Sequence, residues 1–166
     1  MNNGLSSKIN TLCRVVNSPG SKGLRSELRR SGAKAPGTAF WRLAVQYIDP
    51  DGTELHPENE DRIHRWQAIL WALALMGPKH RPSCALGKAM AAAGVSESRL
   101  TRLMRASPEQ LHGEIRHTLS QVLSAGEYVD GVDLAYLILT AGKPGEERVR
   151  NRIARDYYRS TPLKKG

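Results

Sequence analysis

Cysteine occurs only at Cys13 and Cys84, too few and too far apart for a disulfide framework or a zinc site. Aromatic residues make up 5% of the 166 positions, with a single phenylalanine. Few lie among the basic stretches, apart from Tyr157 and Tyr158, so base stacking is a weak candidate for a main interaction. Long apolar runs are also missing. The longest, Ala68 to Met76, is far too short to span a membrane, and no apolar run follows the first methionine as a signal peptide requires. These absences predict a soluble, cytoplasmic protein with no membrane partner.

Catalytic groupings are lacking as well. A phosphate-binding loop needs glycines and a lysine at fixed spacing, and Ala85-Leu86-Gly87-Lys88 supplies only the last pair. His112 and His117 stand five apart, off the i, i+4 face of a zinc-protease helix. His64, between Arg62 and Arg65, reads as a surface residue. Acids cluster only from Asp49 to Asp61, mostly on what reads as a loop, where carboxylates usually face solvent. The expectation is a protein without catalysis, metal or cofactor.

Positive charge, by contrast, is abundant. The net charge is +9 and the isoelectric point near 9.9, which points toward polyanionic partners. It is unevenly spread. Residues 1–48 hold eight Lys/Arg against one acid, and residues 131–166 hold eight against four. Residues 49–81 carry four against six, and residues 82–130 balance at five each.

Periodicity predicts helices throughout. Leu5 to Asn17 places Ile9, Leu12, Cys13 and Val16 inward, with Lys8 and Arg14 outside. A short basic helix over Ser21 to Arg30 sets Leu24 and Leu28 one turn apart, with Arg25 and Arg29 on a neighbouring row and Arg30 beside them. Ala39 to Ile48 reads as a core helix, although its bulky residues would also suit a strand. Asp49-Pro50-Asp51-Gly52 is a turn, and the polar stretch to Pro57 reads as a mobile loop. A long helix over Glu58 to Met76 turns Ile63, Trp66, Ile69, Leu70, Leu73 and Met76 inward. Gly77 to Pro82 then reads as an exposed linker.

Beyond it lies a helix-turn-helix pattern. The alanine-rich run Ala85 to Ala93 stops at Gly94, and Ser96 caps a helix whose Leu100, Leu103 and Met104 share one side while Arg99, Arg102 and Arg105 fan across the other. Ser107-Pro108-Glu109-Gln110 announces a third helix with a capping box, its stripe Leu111, Ile115, Leu119, Val122 and Leu123, with Arg116 off the stripe. An apolar helix over Val132 to Ala141 follows. In the last, Pro144 to Arg159, Arg148, Arg152, Arg155 and Arg159 fall within roughly 60° of arc, apart from the stripe Val149, Ile153 and Tyr157. The fold predicted is all-α: two small helical bundles, residues 1–77 and 83–166, joined by a short linker. The tail with Lys164 and Lys165 is expected to fray.

Arginines aligned on helices suit backbone phosphates, which position a strand without reading its sequence. The order of motifs is more specific. Leu28-Arg29-Arg30, Ala39-Phe40-Trp41-Arg42-Leu43, Gln67-Ala68-Ile69-Leu70, Leu86-Gly87-Lys88-Ala89 with Gly94, Arg99, Leu103-Met104-Arg105-Ala106, Arg116 and Gly142-Lys143 together resemble the CasB family over about residues 10–160. That family is the small subunit of the type I-E CRISPR effector complex, Cascade. The resemblance implies a non-catalytic, all-helical subunit present in two copies. Its implied partners are CRISPR RNA, target DNA, the backbone and large subunits, and a second copy of itself. It implies help in holding the displaced strand, with recognition left to guide pairing.

Carried over by position, Arg29 or Arg30, Arg99, Arg105, Arg116 and Lys143 match basic positions of the family pattern. Arg62 and Arg65 lie close to another, where His64 can itself align. Helical geometry adds Arg25, Arg102, Arg148, Arg152 and Arg155 to the candidate nucleic-acid-binding set. A helix-turn-helix transcription regulator is the alternative, since Ala89, Gly94 and Leu100 also fit a DNA-reading motif whose recognition helix begins near Ser96.

Overall fold

A computed structural model describes residues 3–32 and 35–161. Among them there are nine α-helices, short 3-10 and π turns, and no strand beyond one isolated bridge. The chain divides into two compact units, Met1–Pro78 and Lys79–Gly166. Lys164 and Lys165 of the expected frayed tail lie outside the described residues.

In the first unit, α1 (Asn3–Val16), α2 (Lys22–Ser31) and α3 (Thr38–Leu43) precede the long α4 (Glu60–Met76). The predicted stripe of α1 is fully inside: Ile9, Leu12, Cys13 and Val16 are buried. α4 exceeds its prediction. Every residue from Ile69 to Ala74 is buried, so the apolar character is not a stripe but extends around the helix, as befits the centre of a core packed by α1 and α2. Gln67, buried among them, donates to the Ser31 hydroxyl at 2.8 Å and so ties α4 to α2.

The Ala39 to Ile48 segment is helical, but it changes pitch: α3 passes into a π turn over Ala44–Ile48, closed by the Asp49 amide on the Ala44 carbonyl at 2.8 Å. Phe40, Leu43, Ala44 and Ile48 point inward, while Trp41 and Val45 are left exposed.

The loop after it is pinned rather than free. The Asp49 carboxylate accepts the amides of Glu54 at 2.8 Å and Leu55 at 2.9 Å, and Leu55 is buried. These two bonds hold Asp49 below the usual carboxylate range. Lys8, expected outside, bonds Glu54 at 2.9 Å.

The second unit contains α5 (Leu86–Ala92), α6 (Glu97–Arg105), α7 (Pro108–Ser124), α8 (Gly131–Thr140) and α9 (Glu146–Arg159). Gly94 ends the α5 turn at φ +74°, and the Ser107–Gln110 capping box forms in full. Ala85 cannot cap α5 with its side chain. Asp133 of α8 does so instead, accepting the Leu86 amide at 2.8 Å. α5 crosses α9 at Gly87, where a Cβ would stand 2.1 Å from the Ile153 carbonyl oxygen and 2.8 Å from the Tyr157 nitrogen. Only glycine permits that approach.

The stretch expected as an exposed linker is largely ordered structure. Gly77 is buried, a 3-10 turn spans Gly77–Lys79, and within the second unit His80 makes a parallel bridge with Val129. The His80 Nδ1 accepts the Gly131 amide at 3.0 Å, which satisfies a backbone group that a free linker would leave to water.

Candidate nucleic-acid interface

α6 presents the clearest cationic face. Ser96 accepts the Arg99 amide at 3.1 Å, fixing the first turn, and Leu100 and Leu103 are buried with Met104 half-buried. With that side packed, Arg102 and Arg105 are exposed and Arg99 is half-buried at the margin. None of the three makes an ion pair among the described residues.

α9 braces this helix at both ends. The Tyr157 hydroxyl donates to the Val95 carbonyl at 2.6 Å, holding the turn that leads into α6. At the other end the Arg150 guanidinium donates to the carbonyls of Met104 and Ala106, the latter at 2.8 Å, while Glu146 balances its charge at 2.7 Å. Carbonyls at a helix C-terminus lack intrahelical donors and favour a cation, so Arg150 supplies both needs. Arg150 was not among the predicted site residues. Its only sequence signal is its place on the flank of the buried stripe opposite Arg148, with Glu146 one turn before it.

The predicted arginine ridge on α9 is divided in use. Arg148 is exposed and makes no ion pair among the described residues. Arg152 lies 3.7 Å from Asp133 and 5.5 Å from the Tyr136 ring centroid, and Arg155 binds its neighbour Asp156 at 3.1 Å. Burial raises Asp133 above the usual carboxylate range, with the Leu86 amide and Arg152 acting in opposition. Tyr157 is buried with Val149 and Ile153, as its place on that stripe predicts, whereas Tyr158 is exposed. Arg116 on α7 and Lys143 in the turn before α9 are exposed. Burial, then the nearby charge of Arg116, holds the half-buried His112 below its ordinary value.

In the first unit the candidate arginines are mostly engaged with the protein itself. Arg29 donates to the Ala74 carbonyl at 2.9 Å, in the last turn of α4. Arg25 reaches the Val16 carbonyl and the Asn17 side chain at 3.5 Å. Arg62 pairs with Glu54, which also accepts from the Trp66 indole at 3.3 Å. Burial alone would raise the Glu54 pKa, but Lys8 and Arg62 outweigh it and lower it. Arg65 pairs with Asp61 at 2.9 Å and keeps only 12% of its side chain exposed. Arg30 is exposed with no such partner among the described residues.

Among the described residues, no group of three or more metal-binding side chains converges, and no helix is long and apolar enough to cross a membrane.

Comparison with known proteins bears on what these faces serve. The family described as CRISPR-associated protein Cse2 matches residues 24–158. The solved structure of CasB from Thermus thermophilus is similar with a TM-score of 0.71 at 25% identity, covering 95% of this chain and 99% of that one. A second structure from the same organism, described as a CRISPR-associated protein of the Cse2 family, gives 0.70 at 25% identity, with coverage of 95% and 99%. CasB from Thermobifida fusca, at 17% identity, shares the fold with a TM-score of 0.76 over 94% and 98%. No curated protein sequence matches the chain. A match spanning α2 to α9, joined to an all-helical fold shared along nearly the whole length of those structures, shows that the chain belongs to the CRISPR-associated Cse2 family, that of the CasB proteins.

Proposed function

We propose that the chain is the small, non-catalytic subunit of a type I-E Cascade complex. In this reading it neutralises backbone phosphates along the guide RNA and target DNA hybrid or the displaced strand, and so holds the target duplex open without choosing it. The observation that carries it is the face of α6: Arg99, Arg102 and Arg105 lack carboxylate partners among the described residues and stand on a helix clamped at both ends by α9. Such a face is ready for a phosphate row, because the helix backbone that carries it is already held in place before binding. Arg30 and Arg148, exposed and without an ion pair among the described residues, extend the same capacity, and the exposed Arg116 and Lys143 add positive charge to it. Guide pairing supplies specificity. The backbone and large subunits of the complex and a second copy of the chain are the partners this role requires.

The test is to reconstitute the complex with an Arg99→Ala/Arg102→Ala/Arg105→Ala protein, confirm assembly, and measure strand opening on matched and mismatched targets. Weaker opening on both, with their ratio nearly unchanged, is the expected result. Unaltered opening at full assembly would reduce these arginines to a solvated face, and a changed ratio would give the subunit a part in target choice. A sequence preference retained at physiological salt would instead favour the transcription regulator.

A further inference from the structure

The segment that opens the second unit carries a cationic platform outside the candidate set. Across the His80 and Val129 bridge, the Arg81 amide donates to the Val129 carbonyl at 3.0 Å and the Val129 amide donates to the Lys79 carbonyl at 2.9 Å. The clip is extended by the Ser83 amide on the Asp130 carboxylate at 3.2 Å and the Asp130 amide on the Cys84 carbonyl at 2.7 Å. Lys79 closes the 3-10 turn and Arg81 follows the bridged His80, so the two cations flank the bridge. Both meet Tyr128, next to the bridged Val129. The Arg81 guanidinium carbon lies 3.8 Å from the ring centroid, and the Lys79 ammonium lies 4.7 Å from it.

Two like charges on one ring repel, and an acid would be the ordinary way to relieve that. Neither cation makes an ion pair among the described residues, and Arg81 is exposed. The ring therefore holds both cations by cation–π attraction and leaves their net charge unneutralised. A guanidinium stacked on an aromatic face keeps N–H donors for a bidentate acceptor, the geometry that phosphate oxygens match.

We infer that Lys79, Arg81 and Tyr128 form a phosphate-binding platform for a nucleic-acid strand, separate from the arginine face of α6. The ring sets the spacing of the two cations, and the strand's phosphates supply the missing counter-charge. This rests on the nucleic-acid reading above, and the experiment separates the two.

The full chain is titrated with a fluorescently labelled mixed-sequence single strand and with oligothymidine across a salt series. The variants are Lys79→Gln/Arg81→Gln, Tyr128→Leu, and the α6 triple change. Circular dichroism and melting confirm that each variant is folded. The double variant should bind both strands about tenfold more weakly and flatten the log–log salt slope by about 1.4, the loss of two single-strand phosphate contacts. Tyr128→Leu, which keeps both charges, should weaken binding about threefold with the slope nearly kept.

Wild-type slope and affinity in the double variant, while the α6 triple change weakens binding, would overturn the platform and leave the nucleic-acid reading standing. Full affinity in Tyr128→Leu, with loss in the double variant, would remove the ring from the account and overturn the platform as stated. Polyglutamate displacing the strand at equal charge would point to an acidic protein segment instead. No binding by the wild-type chain at low salt would overturn both readings together.

Discussion

The two units hold similar proportions of charge but spend it differently. The N-terminal unit has ten Lys/Arg against seven Asp/Glu, the C-terminal unit fifteen against nine. In the first, Arg25 and Arg29 satisfy carbonyls at the ends of α1 and α4, and Arg62 and Arg65 meet carboxylates. In the second, one arginine, Arg150, takes over the structural duty at the end of α6, and Arg99, Arg102 and Arg105 make no ion pair among the described residues. Of the candidate arginines in the most basic stretch, residues 1–48, only Arg30 makes no contact of either kind among the described residues. Lys8 of residues 1–48 is drawn on by the acidic segment that follows, through Glu54, which also holds Arg62.

The C-terminal unit has a point of failure where α5 crosses α9. α6 is held by α9, and α9 is positioned by its close crossing with α5 at Gly87. Gly87→Ala forces a methyl group into backbone atoms of Ile153 and Tyr157, and backbone cannot yield as a flexible side chain does. Overpacking of this kind costs about 3 kcal/mol. Amide hydrogen exchange resolved by residue should show the loss of protection concentrated in α5, α6 and α9, with α1 and α4 nearly unchanged. Equal loss in both units would mean that the bracing of α6 is not local.

Acid separates the units by a smaller effect. In the second unit burial holds His80 and His112 below the ordinary histidine value of 6.5, and the His80 Nδ1 must stay unprotonated to accept the Gly131 amide. A histidine with a depressed folded pKa binds its proton more readily when unfolded, so its contribution is complete above about pH 6.5 and is lost as pH falls through the folded value. In the first unit the depressed groups are carboxylates, Asp49 and Glu54, whose contribution is complete above their unfolded values of 3.8 and 4.5 and is lost only below them. Exchange protection measured at pH 7 and pH 5.5, corrected for intrinsic rates, should therefore fall in α8 and its neighbours before it falls in α1 and α4. His80→Gln should reduce that difference. Loss beginning in α1 and α4 at pH 5.5 would reverse the assignment.

How much of this was legible in the sequence follows from the range of the interactions. The caps at Ser96 and Ser107, the stop at Gly94, and the stripes of α1, α7 and α9 depend on neighbours within a few residues, and each was readable from spacing. The α6 face was readable for the same reason: Leu100 and Leu103 fix which side packs, and the arginines take what is left. The duties of other cations depend on distant groups. Arg29 bonds a carbonyl 45 positions away, and Arg150 bonds two carbonyls 46 and 44 positions away. A carbonyl acceptor has no sequence signature, since every residue carries one. The same holds for Gly87, which reads as a fragment of a phosphate loop until α9 is beside it, and for Lys79 and Arg81, whose ring lies across a bridge that no local pattern announces. In the acidic loop Asp51, Glu58, Glu60 and Asp61 are exposed as expected, but Asp49 bonds backbone amides and Glu54 bonds Lys8, neither of which a count of charges reveals.

On this account Arg25, Arg29, Arg62 and Arg65 of the first unit serve the fold, while Arg99, Arg102 and Arg105 on α6 serve phosphate binding. The most direct measurement compares two full-length variants, Arg62→Gln/Arg65→Gln and Arg99→Gln/Arg102→Gln/Arg105→Gln, for melting temperature and for affinity toward one labelled single strand at fixed salt. The first should lower the melting temperature and leave affinity within about twofold, because the partly buried Glu54 loses one of its cations and the Asp61 ion pair with Arg65 is lost. The second should leave the melting temperature nearly unchanged and weaken binding on the order of a hundredfold, about 1 kcal/mol for each lost phosphate contact. The opposite pattern, with the α6 variant unstable at full affinity or the Arg62 and Arg65 variant stable with weakened binding, would contradict the account.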